Sequence, residues 1–349
     1  MALHNETVLV TGGSGYIASW VVKLLLADGY HVRATVRNKN NPQKITHLVK
    51  LAEAHKGVLD LVEADLLEPG SFEEGMQGCK WVIHTASPFI TGRVKDAKRQ
   101  LIDPALEGTR NVLESVNRTP SVERVVLTSS VAAVAGDHSE LKQTPNGVFT
   151  EEHWNQSSSL THSPYSYSKA IAEREAWRIA EAQDRWKLVT LNPGFVMGPS
   201  LSTRKDAASI DFMLNLLGGQ MKSGAPGMSF GIVDVRDVAK AHVLACEKEA
   251  SSGRHLLVDR VLSILDMADI IRKKLPGKFP SLPKSKLPKF IFYILGPILG
   301  FSWKFTRNNL DQPLAYDNSY ATKDLGLEFT SAEDSVVNMV QYLQEKQMI

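Results

Sequence analysis

The sequence predicts an α/β fold: a doubly wound parallel sheet with a smaller carboxyl-terminal substrate-binding region beside it. Three observations carry that expectation. Short apolar runs alternate with helical repeats over residues 7–191, the pattern of a parallel sheet with helices on both faces. A glycine turn, TGGSG at residues 11–15, stands between the first strand and the first helix. The expected strand ends bring Thr11, Arg37, Asp65, Thr85, Ser130 and Pro193 to one edge, where ligands collect in such sheets.

Each element has its own signal. Residues 7–11, TVLVT, read as a buried strand, and residues 16–28 as a helix with Ile17, Val21, Leu24 and Leu25 on one face. Gly29 stops that helix. Strands follow at 31–37, 58–64, 81–85, 122–129 and 188–191, separated by helices at 44–55, 71–76, 101–117 and 165–183. Beyond Val196 the periodicity is less regular. A helix is expected at 210–218, a strand and helix within 232–249, a loop or short-helix region over 276–288 and a final amphipathic helix at 331–346. Residues 1–195 form the predominantly dinucleotide-binding and catalytic domain in this reading. Residues 196–349 form the substrate region, with segments around 225–250 returning to the main domain.

Composition narrows the class. The 349 residues are 43% hydrophobic and 22% charged, with a net charge of +2 at pH 7, a globular profile rather than a nucleic-acid-binding one. Cys79 and Cys246 make neither a disulfide framework nor a metal-ligand spacing. With no secretory leader ahead of the first strand, a reducing, cytoplasmic home is expected. Residues 290–301, FIFYILGPILGF, fall short of the ~20 apolar residues of a helical span and are broken by Gly296 and Pro297. A helix–turn–helix, a pocket cover or a subunit contact is expected there instead of a membrane span. The chain is expected to be a monomer or a homodimer.

The glycine turn points to a dinucleotide. Gly12 and Gly15 frame it, Ala18 permits close helix packing, and the amides of Tyr16 and Ile17 open the helix toward a pyrophosphate. No carboxylate ends the second strand. Arg37 stands there instead, a planar donor array for a 2′-phosphate, with Lys44 placed to assist, so NADPH is the expected cofactor. Asp65 and Leu66 are placed for the adenine, although Asp65 also suits a turn cap. The small residues Thr85, Ala86 and Ser87 let a dinucleotide pass close to the backbone.

Tyr165 and Lys169 are four residues apart on one helix, hence on one face. A phenol has a reference pKa near 10, and the neighbouring ammonium is expected to lower it so that Tyr165 exchanges a proton with a carbonyl oxygen. Tyr167 has Ile171 rather than a lysine four residues on and is expected to pack or line the pocket. Ser129 and Ser130 both end the fifth strand, and either hydroxyl could orient the substrate oxygen. His84, His138, His153 and His162 form no metal-ligand cluster, so no metal is expected, and no Gly-x-Ser-x-Gly elbow marks a hydrolase.

The segments TGGSGYIA, HTASPF, LTSSVAAV, YSYSK, NPGFVMGP and IVDVRDVAKAH, in this order, closely resemble the extended short-chain dehydrogenase/reductase family. The branch is that of dihydroflavonol reductases, cinnamoyl-CoA reductases and yeast-type methylglyoxal and ketone reductases. The resemblance implies a Rossmann-type fold and a catalytic set of Ser130, Tyr165 and Lys169, choosing Ser130 over Ser129. It also implies cofactor contacts from Lys169 and from Pro193, Gly194, Phe195 and Val196. Ser87, Pro88, Phe89, Val131 and Tyr167 fall where family members line the substrate pocket, and Asn111 where a supporting polar residue stands. The stretch AAVAGDHSEL lacks the asparagine that plant flavonoid reductases place after their serine. That departure favours a broad NADPH-dependent reductase of small aldehydes or ketones, of the methylglyoxal or aryl-ketone type. Dihydroflavonol or cinnamoyl-CoA reduction, a hydroxysteroid dehydrogenase, a sugar-nucleotide epimerase and a non-enzymatic NADPH-sensing scaffold are the alternatives.

Overall fold

The computed structural model describes residues 4, 6–87, 96–300 and 302–349. Ten strands run in chain order: β1 (Thr7–Thr11), β2 (His31–Val36), β3 (Val58–Glu63), β4 (Cys79–His84), β5 (Arg124–Thr128), β6 (Lys187–Pro193), β7 (Phe195–Met197), β8 (Ser229–Asp234), β9 (Gly253–Leu257) and β10 (Arg260–Ser263). The α-helices are α1 (Tyr16–Asp28), α2 (Pro42–Ala54), α3 (Glu73–Met76), α4 (Asp103–Asn117), α5 (Pro164–Glu181), α6 (Ala208–Leu217), α7 (Val235–Glu247), α8 (Ile264–Lys274), α9 (Lys289–Leu299), α10 (Trp303–Asn309), α11 (Ser319–Leu325) and α12 (Ala332–Glu345).

Seven strands form one parallel sheet in the order β3-β2-β1-β4-β5-β6-β9. The order reverses between β1 and β4, and the crevice outside their carboxyl ends is where a doubly wound sheet receives its ligand. Both faces are covered. Val21, Val22 and Leu25 of α1 share one core with Val238, Ala239 and Ala241 of α7. On the other face Leu113 and Val116 of α4 pack with Ala176 and Ile179 of α5. Strands buried on both faces must be continuously apolar, and the wholly buried Val8, Leu9 and Val10 of β1 satisfy this.

A second sheet, β10-β8-β7, is mixed: β8 runs parallel to β7 and antiparallel to β10. With α6, α8 and α12 it encloses its own core around Met197, Met213, Ile232, Met267 and Met339. The stretch expected to return to the main domain divides. α7 lies on the main sheet, but β8 belongs to the small one, and the strand that rejoins the seven is β9. Gly194 makes the branching of the two sheets possible: a Cβ there would stand 2.2 Å from the Gly231 carbonyl oxygen.

Residues 290–299 lie in α9, which ends at Gly300 in the left-handed region at φ 90°, and α10 follows from Trp303. Among the described residues no helix is long and apolar enough to cross a membrane.

Candidate active site

The glycine turn is held by the neighbouring strands. Gly12 has φ +65°, a conformation that favours glycine, and its amide donates to Thr35 Oγ1 at 3.0 Å. A Cβ on Gly13 would come within 2.7 Å of the Ala34 Cβ, and one on Gly12 within 3.1 Å of Ala86. Thr85 Oγ1 donates to the Thr11 carbonyl at 2.5 Å, and the Ala86 amide to Thr11 Oγ1 at 3.0 Å. The ends of β1 and β4 are thereby locked together under the turn. Helix α1 begins at Gly15 without a side-chain cap, and its first backbone bond runs from Ser19 to Gly15. The amides of Tyr16, Ile17 and Ala18 precede it, and together with the helix dipole they make an anion cradle. These residues fit a dinucleotide pyrophosphate. The Tyr16 side chain is committed elsewhere: its hydroxyl donates to the Gly198 carbonyl at 2.7 Å.

A cationic cluster flanks the cradle. Lys44, near the start of α2, has its pKa lowered by burial and then by the charges of Arg37 and Arg204. Arg204 carries no expectation as a cofactor ligand from the sequence. Its Nη1 donates to the Ser14 carbonyl at 2.7 Å, and its guanidinium pairs with Asp206. Arg204 is 190 residues from Ser14 in the chain, so no local pattern announces the contact. Three cations around a capless helix start fit a 2′-phosphate beside the pyrophosphate.

The loop after β3 is braced from α4. Asn111 donates from Nδ2 to the carbonyls of Leu66 at 3.1 Å and Glu68 at 2.7 Å, and accepts from the Gly70 amide at 2.9 Å. The resemblance implied a supporting polar residue at this position on the helix after β4, and these bonds to the loop backbone are what Asn111 makes here. Asp65 caps this turn, accepting from the Leu67 amide at 2.9 Å. Leu66 packs so closely on Gly108 that a Cβ there would meet it at 3.2 Å.

Tyr165, Lys169 and Ser130 converge at the carboxyl edge of β4 and β5. Ser163, in the left-handed region at φ 52°, and Pro164 start α5, which carries Tyr165 in its first turn. Ser130 stands close enough to the Tyr165 phenol to lower its pKa, and its hydroxyl oxygen accepts from the Ala132 amide at 3.1 Å. Lys169 Nζ lies 6.0 Å from the Tyr165 ring centroid and donates to Ser87 Oγ at 3.1 Å. Protein packed around the phenolic oxygen pushes the Tyr165 pKa above that of an ordinary tyrosine, even though the residue as a whole is 49% exposed, and Ser130 offsets only part of the rise. This differs from the expectation that Lys169 lowers it. The phenol is the more firmly protonated for it, which suits a proton donor. Burial holds the Lys169 ammonium down to about 8, with the Glu173 carboxylate opposing.

The two serines divide in the structure. Ser129 is buried and donates to Glu173, a wholly buried carboxylate one turn beyond Lys169. Glu173 also accepts from Arg254 Nε at 2.6 Å, Asn192 Nδ2 at 2.7 Å and Thr190 Oγ1 at 3.3 Å. This network pins α5 to β5, β6 and β9, and sequence reasoning missed it.

A match to the NAD dependent epimerase/dehydratase family model covers residues 8–258. The chain belongs to that family, the extended short-chain dehydrogenase/reductases. It is 43% identical to cinnamoyl-CoA reductase CAD2 of Medicago truncatula over 346 residues, 98% of this chain and 97% of that one. It is 36% identical to tetraketide alpha-pyrone reductase 1 of Arabidopsis thaliana, over 97% and 95% of the two chains. The crystal structure of yeast methylglyoxal/isovaleraldehyde reductase Gre2 complexed with NADPH superposes with a TM-score of 0.79 at 28% identity, covering 98% of this chain and all of that one.

Within this extended reductase frame the remaining expected residues separate. Pro193 is buried at the end of β6, and the Gly194 amide donates to the Leu257 carbonyl at 3.0 Å. Phe195 packs against Phe230 and Phe212, with ring centroids at 5.1 and 5.4 Å, and Val196 against the main core. Val131 packs on the small cluster around Val134 and Phe149, and Tyr167 is half-buried on α5. Pro88 and Phe89 lie outside the described residues. His84 is a buried neutral imidazole, held down to about 3 by burial and Lys169, with Nδ1 2.8 Å from Thr11 Oγ1. His162 bonds Asp137 at 2.9 Å, and Thr150 donates its amide to His153 Nδ1 at 3.0 Å.

Proposed function

We propose that the chain is an NADPH-dependent carbonyl reductase that converts a small aldehyde or ketone to its alcohol. The observation that carries this is the convergence of Ser130, Tyr165 and Lys169 at the carboxyl edge of β4 and β5, Lys169 one turn beyond Tyr165 on α5, with the anion cradle beside them. Two hydroxyls at one strand-end site can both meet one carbonyl oxygen.

The Tyr16, Ile17 and Ala18 amides hold the pyrophosphate, and Arg37, Lys44 and Arg204 the 2′-phosphate. When bound, NADPH supplies the hydride that adds to the carbonyl carbon. Ser130 orients the carbonyl oxygen, and Tyr165 gives it the phenolic proton. Because burial raises the Tyr165 pKa, that proton is in place at neutral pH. Tyr165 as a residue is half exposed, so water reaches the site and returns the proton afterwards. Lys169 holds the ribose hydroxyls and supports the phenolate with its charge.

The test is NADPH consumption with methylglyoxal, an aryl ketone and an acyl-CoA thioester as alternative substrates, with the products identified. Turnover of the first two supports the broad reductase. A second reading, reduction of a cinnamoyl-type thioester, is favoured by the 43% identity to a cinnamoyl-CoA reductase along nearly the whole chain. Turnover of the thioester alone would select it, and no turnover of any carbonyl would reject both.

A further inference from the structure

We propose that the α9–α10 hairpin is a docking surface for an anionic lipid bilayer, lying in the headgroup plane. Two independent features of this segment meet there, one of charge and one of shape.

The charge is segregated along the chain. Residues 270–310 hold nine lysines and arginines and no aspartate or glutamate. The whole chain has 40 basic and 38 acidic residues, so the remainder carries 31 against 38 and is net −7. Asp269 and Asp311, just outside the segment, pair with Arg272 and Lys286, and Lys289 is spent on the Arg307 and Leu310 carbonyls. Lys273, Lys274, Lys278, Lys284, Lys304 and Arg307 remain exposed with no acidic partner among the described ion pairs.

The outward face of α9 is apolar. Phe292 and Gly296 are buried, which turns Phe290, Tyr293, Ile294 and Pro297 outward at the i, i+3, i+4, i+7 spacing of one helix face. A surface helix ordinarily shows water its polar side; this one is reversed. Phe290, Ile294 and Trp303 are 63%, 68% and 67% exposed, the highest values among the large hydrophobic side chains described. Trp303 continues the face from α10, fixed by its indole N–H donating to the Tyr293 carbonyl at 2.9 Å. Apolar and aromatic side chains flanked by lysines are the chemistry of an interfacial helix.

The charge decides the occupant. A second copy would bring another nine-cation segment against the first, whereas an anionic leaflet complements it. An 11-residue helix is about 16 Å long, too short to span, so the mode is peripheral. The hairpin is tied to the segment that follows Ser130: Asn308 and Asn309 each donate to Asp137 at 2.7 Å, and Asp137 bonds His162, two residues before α5. A docked molecule therefore holds its cleft next to the bilayer.

The test is co-sedimentation of the full chain with phosphatidylcholine vesicles, with and without phosphatidylserine. About tenfold more protein is expected to sediment with the anionic vesicles, with the excess lost in high salt and in Phe290→Ser/Ile294→Ser. Equal sedimentation with both vesicle types, or full retention by that variant, would overturn the proposal. So would a lipid-free dimer that the variant dissociates, which would assign the face to a second copy. The variant is accepted only if its melting temperature and NADPH binding match the parent. Should it not fold, quenching by brominated lipid decides: quenching in the parent that disappears in Trp303→Phe supports docking, and unchanged quenching refutes it.

Discussion

Replacing Arg254 with methionine should destabilise the fold more than any surface change, because it strands a buried carboxylate. Glu173 is wholly buried, and Arg254 is its only cationic partner among the described ion pairs, at 2.6 Å. Arg254 also donates to the Glu151 and His153 carbonyls, both at 2.6 Å, and lies over the Trp154 ring at 3.8 Å. Removing one member of a buried pair costs about 3–5 kcal/mol, and the lost stacking and carbonyl bonds place this case near the upper end. Glu173→Gln should cost about 2 kcal/mol, since the amide keeps neutral partners and Arg254 keeps its carbonyls. The double variant should be less damaged than the sum of the singles by about 2 kcal/mol, as coupled neighbours are. Urea unfolding followed by tryptophan fluorescence measures all three. A loss below about 1 kcal/mol for Arg254→Met, or strict additivity, would refute the role of this pair in anchoring α5.

Two further predictions concern the cofactor site. Arg37→Ala should weaken NADPH binding by about 10- to 100-fold and Arg204→Ala by about tenfold, while NADH binding changes little, because only the 2′-phosphate meets these charges. Parallel fluorescence titrations with both nucleotides test this, and equal losses for both would contradict it. NADPH affinity of the free protein should fall as pH rises through about 8, where Lys169 loses its proton. Glu173→Gln should move that fall to lower pH by removing the charge that favours the ammonium, and Lys169→Arg should abolish it. A profile flat through this range, or one unmoved by Glu173→Gln, would contradict the assignment.

The first half of the fold was legible because its punctuation is local. β1 and α1 fall at the bounds expected for them, since a glycine turn starts the helix and Gly29 ends it. β7, β9, β10, α8 and α11 were not foreseen. The strands and α11 are short, and the strands' pairing is decided by distant contacts such as Gly194 against Gly231, which leave no periodic trace; α8 carries local signals that went unread, Ile264, Met267, Ala268 and Ile271 at helical spacing and a capping box of Ser263 and Asp266. The same limit applied within the site. Tyr165 and Lys169 share a helix, so their spacing is readable. Ser129 and Ser130 differ by one residue of register, and only the position of Glu173 separates them. The expected direction of the Tyr165 shift was wrong because spacing reveals the neighbouring ammonium but not burial, and burial dominates. Arg204 was hidden for the same reason as β9: its partner is remote in sequence.

The central claim is that the Tyr165 phenol delivers the proton to the reduced carbonyl. Tyr165→Phe, assayed with saturating NADPH and a reducible aldehyde alongside a nucleotide-binding titration, tests it directly. Turnover should fall by about 10²- to 10⁴-fold with NADPH affinity unchanged. Turnover within a few-fold of the parent would contradict it.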